Sequence, residues 1–192
     1  AIRYCLNNAE QYKVQLRALL RASAFGDIKI MLPLVTTVDE VRQAKALVEE
    51  CKRELDAEGV AYNKDIEVGT MIETPSASLI ADKLARECDF FSIGTNDLIG
   101  YTMCADRGND RVAYLYEVYQ PSVLRSLKFL IGEGNKEKIM VGMCGEAAAD
   151  PLLIPVLLSF GLDEFSVSAP SVLRTRKTIA AWTKAEADEL TA

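Results

Sequence analysis

The sequence predicts an α/β fold in which parallel strands alternate with helices. Five short apolar runs follow Gly26, and each has the length of a strand. The runs are continuously apolar rather than alternating, which is typical of strands buried on both faces of a parallel sheet. The segments between them carry helix signals, so strand and helix alternate along the chain. The five runs cover residues 28–35, 66–72, 90–93, 139–143 and 165–167.

The segment before the first run is predicted to be helical. Apolar side chains stand at positions 2, 5, 6, 9, 16, 19 and 20, mostly at helical spacing. The chain opens on Ala1 without an initiator Met. We therefore expect it to be a piece of a longer protein.

The helix after the first strand has the clearest start signal. Thr37 and Glu40 form a capping-box pattern, and apolar residues then recur every three or four positions as far as Leu55. Pro33 is an irregularity in the predicted strand just before it, because proline lacks the amide proton that a strand needs.

Two further helix starts contain proline. Pro75 follows Thr74 as a first helical residue follows its N-cap, and this helix is predicted to run to about Glu87. Residues 150–151, an Asp-Pro pair, repeat the signal, and Gly161 is placed to end that helix.

Alternating strands and helices fit either a doubly wound sheet or a closed (β/α)8 TIM barrel. Five units in 192 residues are too few for a complete barrel of about 250 residues. The sequence therefore predicts one domain over residues 1–192, either an open sheet or a partial barrel of about five strand-helix units.

The composition excludes several classes of function. The net charge of -6 and the pI near 4.9 lack the basic character of a protein that binds nucleic acid or an anionic membrane. The chain contains no histidine, so it offers no Ser-His or Cys-His pair, no imidazole metal ligand and no phosphohistidine.

The five cysteines predict neither a zinc site nor a disulfide framework. Their number is odd and none forms a C-x-x-C pair. With no apolar run of transmembrane length and no signal segment in the sequence, we expect a soluble protein of the reducing cytoplasm.

Polar residues follow three of the predicted strands, where they are expected to share one rim of the sheet. Glu73 follows the second strand, Asn96 and Asp97 the third, and Cys144 the fourth. Each alone is explained as an ordinary helix cap. Together, two carboxylates from different strands suit a Mg²⁺ ion that keeps waters and takes substrate oxygens. Glu73 and Asp97 are therefore the candidate metal ligands.

Arg107 and Cys144 are the other candidates. Arg107 lies in a polar stretch rich in turn residues. Its guanidinium is expected either to bind a phosphate or carboxylate through two hydrogen bonds or to form an ion pair with Asp106 or Asp110. Cys144 lies between small residues that admit a substrate, although simple packing is the alternative. Without a histidine to activate it, its thiol suits a proton donor better than a nucleophile. The other four cysteines are assigned to packing.

Several strings together resemble the enzyme I family of the bacterial sugar phosphotransferase system, in its C-terminal phosphoenolpyruvate-binding domain. The resemblance covers essentially the whole chain. The family usually has Thr-Gln where this chain has Ile99 and Gly100, and a histidine-containing string where this chain has LYEVYQPSVL, so the lining of the pocket differs in detail. The strings are LRASAFGDIKIMLP, EVGTMIETPSA, DFFSIGTNDL, YTMCADRGND, GMCGE and LDEFSVSAPSV.

The resemblance implies a (β/α)8 barrel and a role for each candidate. Glu73 and Asp97 would hold Mg²⁺, Asn96 and Arg107 would bind phosphoenolpyruvate, and Cys144 would protonate the enolate to give pyruvate. The phosphoryl group would pass to a histidine on an N-terminal domain and then to a histidine-containing carrier protein. Family members are homodimers, and they carry about three earlier barrel strands that grip the phosphate. The chain would then be the last five units, inactive alone.

Two other functions stay open from the residues. A Mg²⁺-dependent lyase or aldolase acting on pyruvate-like substrates also places a Glu and an Asp at neighbouring strand ends. An open barrel with unpaired edges could instead serve as a non-catalytic dimerisation module.

Overall fold

A computed structural model describes residues 1–191, and a five-stranded parallel sheet forms its centre. All five predicted strands are present, but their ends differ from the prediction by one or more residues. The first differs most: it was predicted over residues 28–35, and it ends at Leu32, before Pro33. The strands are β1 (Ile30–Leu32), β2 (Val68–Ile72), β3 (Phe90–Gly94), β4 (Met140–Cys144) and β5 (Glu164–Phe165).

The strand order decides between the two predicted architectures. The strands lie side by side in chain order, β1-β2-β3-β4-β5, and every neighbouring pair is parallel. In a doubly wound sheet the strand order reverses at one point, so helices cover both faces of the sheet. When each new strand is instead added on the same side, the right-handed connections place all the helices on one face, as in a barrel. The fold is therefore a partial (β/α)8 barrel of five strand-helix units, as the sequence analysis anticipated. Within residues 1–191, β1 and β5 are the edge strands.

The helices lie before β1, between the strands and after β5, and none of those in residues 1–191 is long and apolar enough to cross a membrane. Short 3-10 turns occupy Ala113–Leu115, Glu146–Ala149 and Ala169–Ser171. The α-helices are α1 (Ile2–Asn7), α2 (Ala9–Ala22), α3 (Val38–Ala57), α4 (Pro75–Leu79), α5 (Ala81–Leu84), α6 (Thr95–Met103), α7 (Pro121–Glu137), α8 (Ile154–Phe160), α9 (Val172–Ala180) and α10 (Lys184–Glu189).

The capping box predicted for α3 is present. The Thr37 hydroxyl accepts the Glu40 amide proton at 3.3 Å, and the Glu40 carboxylate accepts the Thr37 amide proton at 2.9 Å. These two bonds satisfy amide groups that the first turn of a helix cannot pair, and such a cap contributes about 1 kcal/mol. The cap fixes the point at which the chain turns from β1 into its return helix.

The helix that starts at Pro75 is shorter than predicted. It breaks at Ile80, whose backbone leaves the helical region with φ -112° and ψ 21°, and it continues as the separate helix α5. The break lets α4 and α5 pack separately on α7, where the Ser78 hydroxyl meets that of Ser126 at 2.5 Å.

The start signal at residues 150–151 lies too early. The Asp150 carboxylate accepts the amide proton of Leu152 at 2.9 Å, so Asp150 caps a turn. The helix α8 begins at Ile154 and ends, as predicted, at Gly161, which has a positive φ of 88°.

Two aspartates hold the amino-terminal ends of strands in place. Asp89, just before β3, accepts the amide proton of Val68 in β2 at 2.7 Å. Asp163, just before β5, accepts that of Val141 in β4 at 2.8 Å. The same contact at two positions aligns neighbouring strands, so their carboxyl ends finish level at the opposite rim.

Helix α7 lies close against β4 at Gly134. A Cβ atom built at Gly134 would overlap the Val141 side chain, whereas one built at Gly132 would have nothing within 4 Å. The glycine therefore sets the distance between this helix and the sheet.

Replacing Gly134 with alanine should destabilise the protein by about 1–3 kcal/mol, because Val141 has no space to retreat in a close-packed core. Gly132→Ala is the matched control on the same helix, and it should stabilise by about 0.5–1 kcal/mol through helix propensity. Urea unfolding measures both changes. Equal effects of the two substitutions would contradict the close approach.

Candidate active site

The carboxyl ends of β2, β3 and β4 bring together the rim residues predicted from the sequence. Gly94, the last residue of β3, lies in register with Cys144 at the end of β4, and Ile72 of β2 lies in register with Ile93. Glu73 follows β2 directly, and Asn96 and Asp97 stand in the first turn of α6. The predicted side chains thus emerge on one rim.

Glu73 is held rigidly at this rim. Only 6% of its surface is exposed, and its Oε1 atom accepts the amide proton of Leu34 at 2.6 Å. Leu34 has a left-handed φ of 55°, which costs free energy for a residue with a Cβ atom. The strained backbone of the loop after β1 therefore aims a donor at the carboxylate.

Gly94 leaves the space that Glu73 occupies. A Cβ atom at position 94 would lie 2.8 Å from the Glu73 Cβ atom and 2.9 Å from its Oε2 atom. Any larger residue would push the carboxylate away from its place beside β3.

Asp97 faces Glu73 from the neighbouring strand end. The two carboxyl groups are close enough to share a hydrogen bond when one is protonated. Burial raises the pKa of Glu73 and the charge of Asp97 adds to the rise, against the opposing hydrogen bond from Leu34. Two acids that repel each other at this separation form a favourable site for a divalent cation.

Cys144 lies beside the acid pair with its thiol proton retained. Its Sγ atom donates to the carbonyl of Ile93 at 3.6 Å, and the Ser92 hydroxyl donates to Sγ at 3.9 Å. Burial raises the pKa of the thiol, Ser92 opposes that rise and the charge of Glu73 supports it. At neutral pH the group is therefore a thiol and not a thiolate.

The backbone after Cys144 is packed tightly against the start of α6. The Thr95 hydroxyl donates to the carbonyl of Cys144 at 2.9 Å. Gly145 has a φ of 97°, and a Cβ atom there would overlap the Thr95 hydroxyl and lie 3.3 Å from the Asn96 side-chain oxygen. The glycine therefore lets the thiol-bearing strand end approach Asn96.

Arg107 is exposed and lines a cavity of about 430 Å³ at the same rim. Within residues 1–191 it forms no ion pair, so the predicted alternative of a pair with Asp106 or Asp110 is wrong. Asp106 accepts the amide proton of Gly108 at 2.9 Å instead and shapes the turn. The guanidinium is therefore available to an anion. The cavity is lined by Asn96, Asp97, Gly100, Tyr101, Cys104, Ala105, Asp106, Arg107 and Tyr116.

Asn96 connects this cavity to the thiol. Its side chain also lines a neighbouring cavity of about 450 Å³ together with Cys144 and Gly145. A small ligand beside Asn96 would thus have the guanidinium on one side and the thiol on the other.

Three residues at the site were not identified from the sequence. Leu34 acts through its backbone, and the only signal for it was its position at the end of the first strand. Tyr116 lies beyond Arg107 on the same loop, and its only signal was its place in the string LYEVYQPSVL, which departs from the usual family sequence. Cys104 was assigned to packing, which is wrong: it ends α6 with a left-handed φ of 51°, and its exposed thiol lines the cavity.

The fold and the rim together define the class: a (β/α)-barrel domain with a candidate small-molecule site at the carboxyl ends of its strands. Residues 1–184 match the family described as PEP-utilising enzyme, PEP-binding domain, where PEP is phosphoenolpyruvate. The chain belongs to this family.

The curated relatives are bacterial proteins named phosphoenolpyruvate-protein phosphotransferase. The chain is 55% identical to the one from Priestia megaterium over 97% of its own length and 32% of the relative's. It is 54% identical to the one from Bacillus subtilis, over 98% of the chain and 33% of the relative. The chain thus spans about a third of these relatives, and the resemblance to enzyme I inferred from the sequence is confirmed.

A solved structure shows the same fold at low sequence identity. A citrate lyase from Burkholderia xenovorans aligns with 90% of this chain and 55% of its own, with a TM-score of 0.66 and 18% identity. At this identity the likeness concerns the fold alone and supports the barrel architecture.

Replacing Glu73 with glutamine should stabilise the protein near pH 7 when no divalent cation is present. The folded pKa of Glu73 lies above its ordinary value of 4.5, so stability is lost as the pH rises from 4.5 through the folded pKa. A glutamine side chain keeps an oxygen that accepts the Leu34 amide proton, and it carries no charge. The stability of the variant should therefore not fall as the pH rises.

Urea unfolding at about pH 7 and about pH 4 measures the difference, which should vanish at the lower pH. Glu117→Gln, at an exposed position, is the control and should change little at either pH. A Glu73→Gln protein no more stable than the wild type near pH 7 would show that the carboxylate is not under strain.

Proposed function

We propose that this chain is the C-terminal part of the phosphoenolpyruvate-binding barrel of a phosphoenolpyruvate-protein phosphotransferase. The site would bind phosphoenolpyruvate, deliver its phosphoryl group to a histidine and release pyruvate, the first step of the sugar phosphotransferase system. One observation supports the proposal most strongly. The chain belongs to the PEP-utilising family, and one rim of its sheet holds the Glu73–Asp97 acid pair, an Arg107 without an ion-pair partner within residues 1–191 and a protonated Cys144 thiol.

Mg²⁺ is the cofactor that suits this rim. Glu73 and Asp97 offer hard oxygen ligands from two strand ends, and the histidine and paired cysteines that softer metals prefer are lacking. Within residues 1–191 no three histidine, cysteine or acidic side chains are arranged to hold a metal ion together, so the ion's other ligands would be waters and substrate oxygens. Bound there, Mg²⁺ would neutralise charge on the substrate oxygens.

Asn96 and Arg107 would hold the substrate itself. A guanidinium binds phosphate or carboxylate oxygens through two parallel hydrogen bonds, and Arg107 has no carboxylate partner within residues 1–191 to compete for them. The Asn96 amide, between the two cavities, would orient the enol end of the substrate toward Cys144.

Cys144 would be the proton donor. When the bond between phosphorus and the enol oxygen breaks, its electron pair stays on that oxygen and forms the enolate of pyruvate. The methylene carbon of the enolate then takes the proton from the Cys144 sulfur. A thiol whose pKa is raised keeps its proton at neutral pH until this step, as general-acid catalysis requires.

The phosphoryl acceptor would come from outside this chain, because the sequence contains no histidine. We place that histidine on an N-terminal domain of the same enzyme, from which the phosphoryl group passes to the histidine-containing carrier protein. About three earlier strands would close the barrel between β5 and β1 and add arginines to the phosphate site, so the chain alone should be inactive.

We also place the enzyme in the cytoplasm as a homodimer, on the strength of its five free cysteines and of the family it belongs to. The lyase or aldolase alternative gains no support, since the likeness to a citrate lyase is one of fold. A dimerisation role is compatible with catalysis and does not replace it.

Mg²⁺ should raise the thermal midpoint of the full-length enzyme, because a ligand that binds only the folded state stabilises it. The shift should disappear in Glu73→Gln and in Asp97→Asn, while the exposed control Glu117→Gln should retain it. Differential scanning fluorimetry with and without Mg²⁺ measures this. A full shift in both acid variants would place the metal elsewhere.

Cys144→Ala should lower kcat for pyruvate release about 10²–10⁴-fold with little change in phosphoenolpyruvate binding, because the variant removes only the general acid. Cys88→Ala is the control, since that thiol is buried in the core away from the rim. A coupled lactate dehydrogenase assay on the full-length enzyme measures the rate. Unchanged turnover of the Cys144 variant would exclude it as proton donor.

A further inference from the structure

Tyr116 connects the start of α6 to the loop that carries Arg107. It follows the 3-10 turn at Ala113–Leu115, well apart in sequence from the rim residues. Its hydroxyl nevertheless donates to the main-chain carbonyl of Asn96 at 2.7 Å. The contact joins a residue of the loop to the helix turn that presents Asn96 and Asp97.

Tyr116 and Arg107 line the same cavity, which Asn96 also lines. Burial raises the pKa of Tyr116, and the nearby charge of Arg107 opposes that rise. The bond from Tyr116 to Asn96 therefore fastens the loop that carries Arg107 to the helix turn that carries Asn96.

The ring of Tyr116 is supported from below by α6. A Cβ atom at Gly100 would lie 3.7 Å from the Tyr116 ring and 3.3 Å from the Ala105 carbonyl oxygen. The Ala105 amide donates to the Gly100 carbonyl at 3.0 Å and holds the beginning of the loop. The ring and this bond fix the two ends of the segment on which Arg107 stands.

Arg107 depends on this support, because little else restrains it. The segment from 106 to 111 is exposed, and within residues 1–191 no carboxylate pairs with the guanidinium. A long side chain without a fixed partner loses conformational entropy when it binds an anion. A loop already fastened to α6 through Tyr116 and Asn96 would reduce that loss.

We propose that Tyr116 is a positioning residue that fastens the loop of Arg107 to α6, so that the guanidinium stays on the cavity beside Asn96, ready for the phosphoenolpyruvate anion. The inference rests on the proposed function and extends it to a residue outside the rim. Tyr116 touches no reacting atom in this account and acts through Arg107 alone.

The test is Tyr116→Phe in the full-length enzyme, which removes the hydroxyl and keeps the ring over Gly100. We expect KM for phosphoenolpyruvate to rise about 5-fold, the net effect of losing one hydrogen bond between neutral groups, with kcat changed less than about 2-fold. Tyr114→Phe is the matched control, because Tyr114 is on the same loop and 73% exposed. Its KM should stay at the wild-type value.

A double-mutant cycle separates positioning from general loss of structure. Arg107→Ala should raise KM by itself, and adding Tyr116→Phe to it should raise KM no further, since the hydroxyl acts through the guanidinium. Trypsin should also cleave after Arg107 faster in Tyr116→Phe than in Tyr114→Phe, because the loop is less restrained.

Two failures are distinguishable. A wild-type enzyme that releases no pyruvate would remove the proposed function, and the role of Tyr116 toward phosphoenolpyruvate with it. A wild-type enzyme that turns over, with Tyr116→Phe equal to Tyr114→Phe or with additive effects in the cycle, would overturn the positioning role alone.

Discussion

The rim of the sheet is organised around one buried carboxylate. Glu73 is fixed from one side by the amide of Leu34, which needs a left-handed backbone to reach it, and accommodated on the other by Gly94. Asp97 then adds a second negative charge at close range. Each feature costs stability by itself, through strain, desolvation or repulsion. A strained backbone, a buried carboxylate and a second nearby carboxylate at one strand end are together typical of a functional site, where a fixed geometry is kept although it lowers stability.

The neighbouring thiol is kept neutral mainly by burial. The negative charge of Glu73 raises the pKa of Cys144 further, so the same rim suits a cation and retains a proton. A basic group beside Cys144 would produce a thiolate and a nucleophile instead. The absence of histidine from the sequence fits the proposed division, in which the barrel would keep a proton donor and the phosphoryl acceptor would lie elsewhere.

The sequence predicted features that depend on local pattern. The five strands, the Thr37 cap and the rim position of Glu73 follow from apolar runs and residues beside them, because parallel strands end on a common edge. The break at Ile80, the left-handed Leu34 and the exposure of Cys104 depend on packing between distant segments. Tyr116 was missed for the same reason: its hydroxyl reaches a carbonyl twenty positions away, and no spacing rule connects such residues.

The residues of the site differ in their exposure to solvent. Glu73 is buried and Cys144 is half-buried, whereas Asp97 and Arg107 are open to solvent. An acceptor histidine on another domain would have to reach the phosphorus from the solvent side, so groups that contact the phosphoryl end must be accessible. Groups that handle the enol end need no such access and gain from exclusion of water, which strengthens electrostatic interactions. The burial pattern of the rim therefore follows the direction in which phosphoryl transfer would proceed.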